Sequence, residues 1–469
     1  MRLGRRALLR AAAGAAALAG LGARTAARAQ ASGAPALLVG NTSYNPREES
    51  LPPAQKCLRD LEPRLRRFGF DVVTLHDPTI AQVQAELARL QKAVAANPHA
   101  PAVFYFVGHG FQSNAENFLV PAGGDLSTAP AQLAKHCVSL EKDVFTQLKR
   151  SGPAATVIMV DACRTPDRPR TPGEGYNQTM PPDGCHVAFA TGPGKRAFAP
   201  NDPDRHTLFA EVLVSELETS PPDRSILLTL ESVRAKVANR VNGIDAIVRA
   251  FGRNAQEPEL ASNVRGDPSW APLASSAPAG SPVARPPEAK ANDARPPDAK
   301  APDPTAAARE LEAVRGLASP EEAAARLKAL LQGTAQGDDA DIANLRLRDL
   351  EKVLSAARTA RLELDIARLS AGKPANVAED MTKALRGDKY AALRVAESLP
   401  RPSGTSELIE RTEHGRWMIF ASHLGNGIAA YRLSEHFRNV DRRDAEAARY
   451  LALARANQYT PPRQLDAGR

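Results

Sequence analysis

Short, unbroken apolar runs recur through the first half of the chain, at residues 36–39, 72–75, 103–107, 157–160 and 187–190. Runs this short, apolar throughout and bounded by turn residues, predict strands of a parallel sheet covered on both faces. Between them the apolar positions change period. Leu58, Leu61, Leu65 and Phe68 recur every three or four residues, as do Val83, Leu87, Leu90 and Val94, and Leu140, Val144 and Leu148. That is the spacing of helices with one buried face. Strand and helix alternate with short connections, so residues 34–265 are expected to form an α/β domain, an open, mainly parallel sheet flanked by helices.

The pattern stops at residues 271–309. This stretch holds nine Pro and thirteen Ala, no aromatic residue, and a near-repeat in which Ala284-Arg-Pro-Pro-Glu-Ala-Lys-Ala291 returns as Ala294-Arg-Pro-Pro-Asp-Ala-Lys-Ala301. Nothing in it can bury a core, which predicts a disordered, extended linker. Residues 310–460 then read as all-α. Ser319, Pro320 and Glu322 form a helix-start signal of N-cap, N1 proline and capping-box acid. Leu347, Leu350, Val353, Leu354 and Ala357 form one helical stripe within a segment at 310–372. In residues 373–460, Gly387, Ala391, Ala392, Arg394 and Glu397 have counterparts 38 residues on, in Gly425, Ala429, Ala430, Arg432 and Glu435. The period resembles tetratricopeptide-like or SEL-type α-hairpin repeats, with an ordinary helical bundle as the equal alternative.

Composition changes the picture at the N-terminus. The chain has 469 residues, 43% hydrophobic and 24% charged, in the range of soluble globular proteins. Its formal charge of +8 would suggest an anionic partner. Residues 1–29, however, carry six arginines and no acid, and without them the net charge is +2. No nucleic-acid footprint is therefore expected in the rest of the chain. Arg5-Arg6 precedes the Ala/Gly-rich run 11–22, and Ala27-Arg28-Ala29 has the small-x-small form that signal peptidase reads. This resembles a twin-arginine signal, cleaved after Ala29, and predicts a periplasmic or secreted protein. The competing reading is an uncleaved anchor, but 11–22 is short for a span and no other long apolar run follows.

Two of the predicted strands end in chemistry. The run 103–107 leads into Gly108-His109-Gly110, and the run 157–160 into Asp161-Ala162-Cys163-Arg164. Sites in open α/β sheets form beyond the carboxyl ends of strands, so an imidazole and a thiol are expected to face one crevice. His109 can take the thiol proton and return it to a leaving amine. A neighbouring imidazolium lowers the thiol pKa. The main-chain N–H groups of Gly110 and Cys163 are candidates for an oxyanion hole. The other cysteines, Cys57, Cys137 and Cys185, form no CxxC pair, which argues against a zinc or thioredoxin-type site. Among these three at most one disulfide can form.

Further residues extend the pattern: Leu37-Leu38-Val39-Gly40-Asn41 with Tyr44, Phe68-Gly69-Phe70, Asn117-Phe118-Leu119-Val120-Pro121, Ala190-Thr191-Gly192 and Gln256-Glu257-Pro258. Together with the two strand ends they resemble the caspase-like cysteine peptidases, of the bacterial metacaspase and orthocaspase type, over residues 34–265. The resemblance implies an endopeptidase with a His109–Cys163 dyad. It also implies that Asp161 lines the pocket for the residue before the scissile bond, which in metacaspases takes Arg or Lys. The alternative reading of Asp161 is that it only orients its loop. Two positions depart from the pattern. The family's acid on the first helix falls on Cys57, and the residue two before His109, often Ser in metacaspases, is Val107. A blunted basic preference follows. The rival reading is a catalytically weak or inactive caspase-like scaffold that binds peptides and acts through its helical tail.

No cofactor is expected. His136, His186 and His206 have no metal-ligand spacing. Asp202 and Asp204 are candidates for calcium, but no EF-hand pattern surrounds them, and a solvated loop is the favoured reading. Arg164, Arg168, Arg170, Lys195 and Arg196 cluster around the loop after the predicted nucleophile; a solvated loop is the usual reading, though the resemblance makes it also the place where caspase-like enzymes are often self-cleaved. The expected partners are a polypeptide substrate and a protein bound by the helical region.

Overall fold

A computed structural model describes residues 33–113, 116–163, 178–193, 195–253, 255–271, 306–333, 335–401, 408–459 and 461. The export signal expected at 1–29, the near-repeat at 284–301 and Arg164, Arg168 and Arg170 lie outside the described residues.

The strands are β1 (Ala34–Gly40), β2 (Phe70–His76), β3 (Ala102–Ser113), β4 (Glu116–Leu119), β5 (Val138–Ser139), β6 (Thr156–Cys163), β7 (Cys185–Phe189) and β8 (Glu259–Ser262). The main sheet has the order β2-β1-β3-β6-β7-β8. Its strands are parallel except β8, which runs antiparallel to β7. Beyond His109, the last four residues of β3, Gly110–Ser113, pair antiparallel with β4, which in turn pairs with β5.

Period-two alternation divides the parallel strands between two cores. Leu38, Val103, Tyr105, Val157 and Met159 face helices α1 (Pro53–Arg67), α3 (Leu208–Thr219) and α4 (Ile226–Asn242), meeting Leu58, Leu61, Leu65, Phe209, Leu213 and Val233. Leu37, Phe104, Phe106, Ile158 and Val160 face α2 (Ile80–Ala96), through Val83, Leu87 and Leu90. Both faces being covered is why these strands read as continuous apolar runs. The helical spacing of Leu140, Val144 and Leu148 is met by a π-helical turn, Leu140–Phe145, followed by Thr146–Leu148. The α/β fold closes on Trp270, fully buried against Phe68 and Phe70, a few residues beyond the expected boundary at 265.

After α5 (Asp245–Phe251), helix α6 (Ala306–Arg315) begins inside the stretch read as linker. Then come α7 (Pro320–Gln332), α8 (Gly337–Ala360), α9 (Ala375–Ala384), α10 (Lys389–Ser398), α11 (Glu413–His423), α12 (Gly427–Asn439) and α13 (Asp444–Ala456). Ser319 caps α7 as expected, accepting the Glu322 N–H at 3.2 Å. Gly387 and Gly425 occupy equivalent places. Each has positive φ, +102° and +103°, and each precedes an N-cap, Asp388 or Asn426. No helix among the described residues is long and apolar enough to cross a membrane.

The helices dock on the β8 edge of the sheet. Three outward main-chain groups along β8 and its continuation are taken by helix side chains. Arg394 Nη1 donates to Ser262 O at 3.0 Å, Lys383 Nζ to Val264 O, and Gly266 N–H donates to Glu379 Oε1 at 2.9 Å. An otherwise open strand edge is thereby closed in cis. Further along, Arg234 of α4 reaches Asp349 of α8 at 2.6 Å and Glu257 at 2.7 Å. Gln178 reaches the α12 start, accepting the Gly427 N–H at 2.7 Å and donating to Gly425 O and Asn457 O.

Candidate active site

The carboxyl ends of β3 and β6 lie side by side. Their parallel ladder runs without a break from Ala102↔Thr156 to His109↔Cys163, so residues 109 and 163 are register partners on adjacent strands, about 4.8 Å apart in the hydrogen-bonding direction. The sheet thus brings together the two residues that the sequence assigned to one crevice.

His109 is held from the side away from β6 by the loop after β1. Its main-chain N–H donates to Tyr44 Oη at 2.9 Å, and the two rings meet edge to face with centroids 4.5 Å apart. Gly108 makes this approach feasible, because a Cβ there would lie 2.5 Å from Tyr44 Oη. The ring Nε2 lies 2.7 Å from Glu49 O. A carbonyl only accepts, so Nε2 carries the proton and Nδ1 is the basic nitrogen of the neutral ring. Burial raises the Tyr44 phenol well above its ordinary range, so it stays protonated.

The main chain at Gly110 is suited to an anion. His109 O accepts from Val120 N at 3.0 Å, while Gly110 stands opposite Leu119. In an antiparallel ladder the bonds alternate, so the Gly110 N–H is directed away from β4, on the side where β6 lies.

Asp161 is two residues before Cys163, only 2% exposed. Its Oδ2 accepts from Tyr105 Oη at 3.0 Å and from Thr207 Oγ1 at 2.5 Å. Thr207 is also the N-cap of α3, accepting the Ala210 N–H at 3.1 Å. Burial raises the Asp161 carboxyl, and the two hydrogen bonds offset part of that, leaving it at about 6. Cys57 does reach this group, its Sγ 3.8 Å from Thr207 Oγ1. Burial, and then the Asp161 charge, push its thiol up to about 12. Cys57, Cys137 and Cys185 are free thiols, all buried. One turn along α1, Asp60 binds Lys56 at 2.7 Å and His206 at 2.9 Å. Burial alone would raise its carboxyl, but these two partners hold it below the ordinary value.

Comparison with protein families matches residues 34–267 to the caspase domain. The chain carries a caspase domain. Among solved structures, caspase-1 from Spodoptera frugiperda is similar at 17% identity, covering 51% of this chain and 90% of that one, with a TM-score of 0.36. Comparison with curated proteins gave no match. A caspase domain is a cysteine peptidase domain, so its substrate is a polypeptide.

Sequence reasoning missed the Glu49 carbonyl, and it gave Tyr44 no role. The caspase domain uses the main chain of residue 49, which leaves no side-chain signature. Tyr105, the second partner of Asp161, reads in sequence as one more apolar strand residue. Asn41, which begins a glycosylation-like Asn-Thr-Ser, is fully buried, and its Nδ2 donates to Val120 O at 2.9 Å. Arg196 lies over the Phe251 ring, 5.1 Å from its centroid. Among the described residues no cluster of His, Cys, Asp and Glu could hold a metal ion.

Proposed function

We propose that the caspase domain is an endopeptidase working through a Cys163–His109 dyad. The observation that carries this reading is the His109↔Cys163 register, supported by a tautomer that keeps Nδ1 basic. Nδ1 takes the thiol proton, and the thiolate attacks the scissile carbonyl carbon. The N–H groups of Gly110 and Cys163 receive the developing oxyanion. The His109 imidazolium returns its proton to the departing amine, leaving a thioester at Cys163. Water activated by His109 hydrolyses the thioester and restores the thiol.

The preferred residue before the scissile bond is Arg or Lys. A cation entering beside Asp161 converts a carboxyl poised at about 6 fully to carboxylate and pairs with it. With Cys57 in place of a second acid, the preference is blunted. The protein is exported through its twin-arginine-type N-terminus, and the helical region, read as α-hairpin repeats, offers a surface for a protein partner.

The test is cleavage of peptides bearing Arg, Lys or Asp before the scissile bond, with labelling by a thiol-reactive peptide electrophile. Cys163→Ala and His109→Ala each reduce turnover by roughly 10³-fold or more, and Cys163→Ala removes the label. Labelling confined to Cys57, Cys137 or Cys185 would overturn the dyad.

A further inference from the structure

The loop that holds His109, residues 41–51, has its own anchor outside the site. Asp77 lies just past β2 in the left-handed region, φ +46°, a conformation that Asp tolerates better than most residues. The turn puts its main-chain N–H on Gly40 O at 2.9 Å, tying it to the end of β1. Its carboxylate covers the start of the loop. Oδ1 accepts the N–H groups of Thr42 at 2.6 Å and Ser43 at 3.1 Å, and Oδ2 accepts Thr42 Oγ1 at 2.5 Å. Thr42 O in turn accepts the Leu51 N–H at 2.8 Å, which closes the loop on itself. Both groups that hold His109 lie inside this closed segment: Tyr44, which takes its N–H, and the Arg47–Glu49 turn, which presents Glu49 O to Nε2.

We infer that Asp77 is a positioning residue for catalysis: by fixing the neck of the 42–51 loop it sets the orientation and tautomer of the His109 ring. The inference rests on the dyad reading above. Asp77 touches neither His109 nor any reacting atom, so its effect must pass through Thr42, Tyr44 and Glu49. An imidazole that swings away from the thiol loses proton transfer but leaves the substrate groove intact. The effect therefore falls on kcat rather than KM. Misplacement on the order of 1 Å costs up to about 10²-fold in rate.

The experiment compares full-length wild type, Asp77→Ala and Asp77→Asn, each checked for an unchanged melting transition. Peptide hydrolysis gives kcat and KM, and Cys163 alkylation by iodoacetamide gives a readout independent of peptide binding. Asp77→Ala should lower kcat roughly 10- to 100-fold, leave KM within about twofold, and slow alkylation in parallel. Asp77→Asn retains an Oδ1 for both N–H groups and should recover most of the rate. If Asp77→Ala does not fold, Thr42→Val, which removes only the hydroxyl contact, should show a smaller loss of the same kind. Wild-type kcat and alkylation in a folded Asp77→Ala, or a loss carried by KM, would overturn the inference. Failure of the dyad itself would be distinct: His109→Ala would then leave alkylation at the wild-type rate.

Discussion

The Tyr44 hydroxyl receives the main-chain N–H of His109 at 2.9 Å, in space that Gly108 leaves open. A loop and a strand end 65 residues apart are thus joined by one hydrogen bond. Tyr44→Phe keeps the ring contact and removes that hydrogen bond, at a cost of about 1 kcal/mol. Gly108→Ala brings a methyl against both Tyr44 Oη and the Phe106 ring and should cost ~1–3 kcal/mol. Urea denaturation of the two variants measures this. Stabilities equal to wild type would show that the bond contributes nothing.

Asp161 connects stability to specificity. Its carboxyl is raised to about 6 by burial, whereas an unfolded Asp titrates near 3.9. Between these values the folded state holds a proton that the unfolded state has released. Stability therefore falls as pH rises through this window, by up to about 3 kcal/mol in all. Asp161→Asn removes that slope and should be at least as stable as wild type at pH 7. It should also lose most of the preference for Arg or Lys. Denaturation at pH 4–7 and profiling of a peptide library give the two readouts. An Asn variant that keeps the basic preference would confine Asp161 to orienting its loop through Tyr105 and Thr207.

The two histidine- and cysteine-bearing strand ends were legible because a sheet covered on both faces forces unbroken apolar runs, and the break into Gly108-His109-Gly110 or Asp161-Ala162-Cys163 is abrupt. β8 was not legible. It is a short edge strand whose Glu259 is paired with Lys389 and Tyr390 of α10, so no apolar run marks it. Glu49 was hidden for a different reason, since a main-chain carbonyl can come from any residue. The docking of the helical region was also invisible. It depends on pairs such as Arg234 with Asp349, 115 residues apart, and each member alone reads as a solvated helix charge.

His186 on β7 predicts an acid sensitivity. It is 1% exposed, and neither ring nitrogen has a hydrogen-bond partner among the described residues. Burial, then the Lys383 charge, lower its pKa to about 3, with Arg315 adding to that effect and Asp267 opposing it. The ring is neutral in the folded state and protonates near 6.5 when unfolded. Its contribution is fully present above that value and is lost as pH falls toward 3, at no more than about 1.4 kcal/mol per pH unit. His186→Leu should lose stability less steeply than wild type between pH 6 and 4. Equal slopes in urea denaturation would exclude His186 as a source of acid lability.

The Arg234 cluster decides how firmly the helical region is attached to the caspase domain. Arg234 binds Asp349 of α8 through Nη1 at 2.6 Å and Glu257 through Nη2 at 2.7 Å, and Arg348 of α8 adds a second bond to Glu257 at 2.6 Å. Burial alone would push both carboxyls up, but the guanidinium charges hold each below its ordinary value. Removing Arg234 would leave two mostly buried carboxylates facing each other, with Arg348 on Glu257 and Lys352, at 4.0 Å, on Asp349. Removing Asp349 leaves Arg234 still paired with Glu257. Arg234→Ala should therefore be the more damaging change, destabilising by about 3 kcal/mol or more, while Asp349→Ala costs less. The double variant should be less destabilised than the two single effects combined, because Arg234 and Asp349 act as one unit. Glu257 follows Gln256, whose buried amide donates to Ala190 O at 2.9 Å and accepts the Phe198 N–H at 2.8 Å. Loosening the cluster should therefore also disturb the loop after β7, at the same end of the sheet as His109. Denaturation of the three variants, read by the fluorescence of Trp270 in the caspase domain and Trp417 in the helical region, tests the attachment. Additive effects, or single variants as stable as wild type, would show that the helices are held by their apolar contacts and the β8 edge alone.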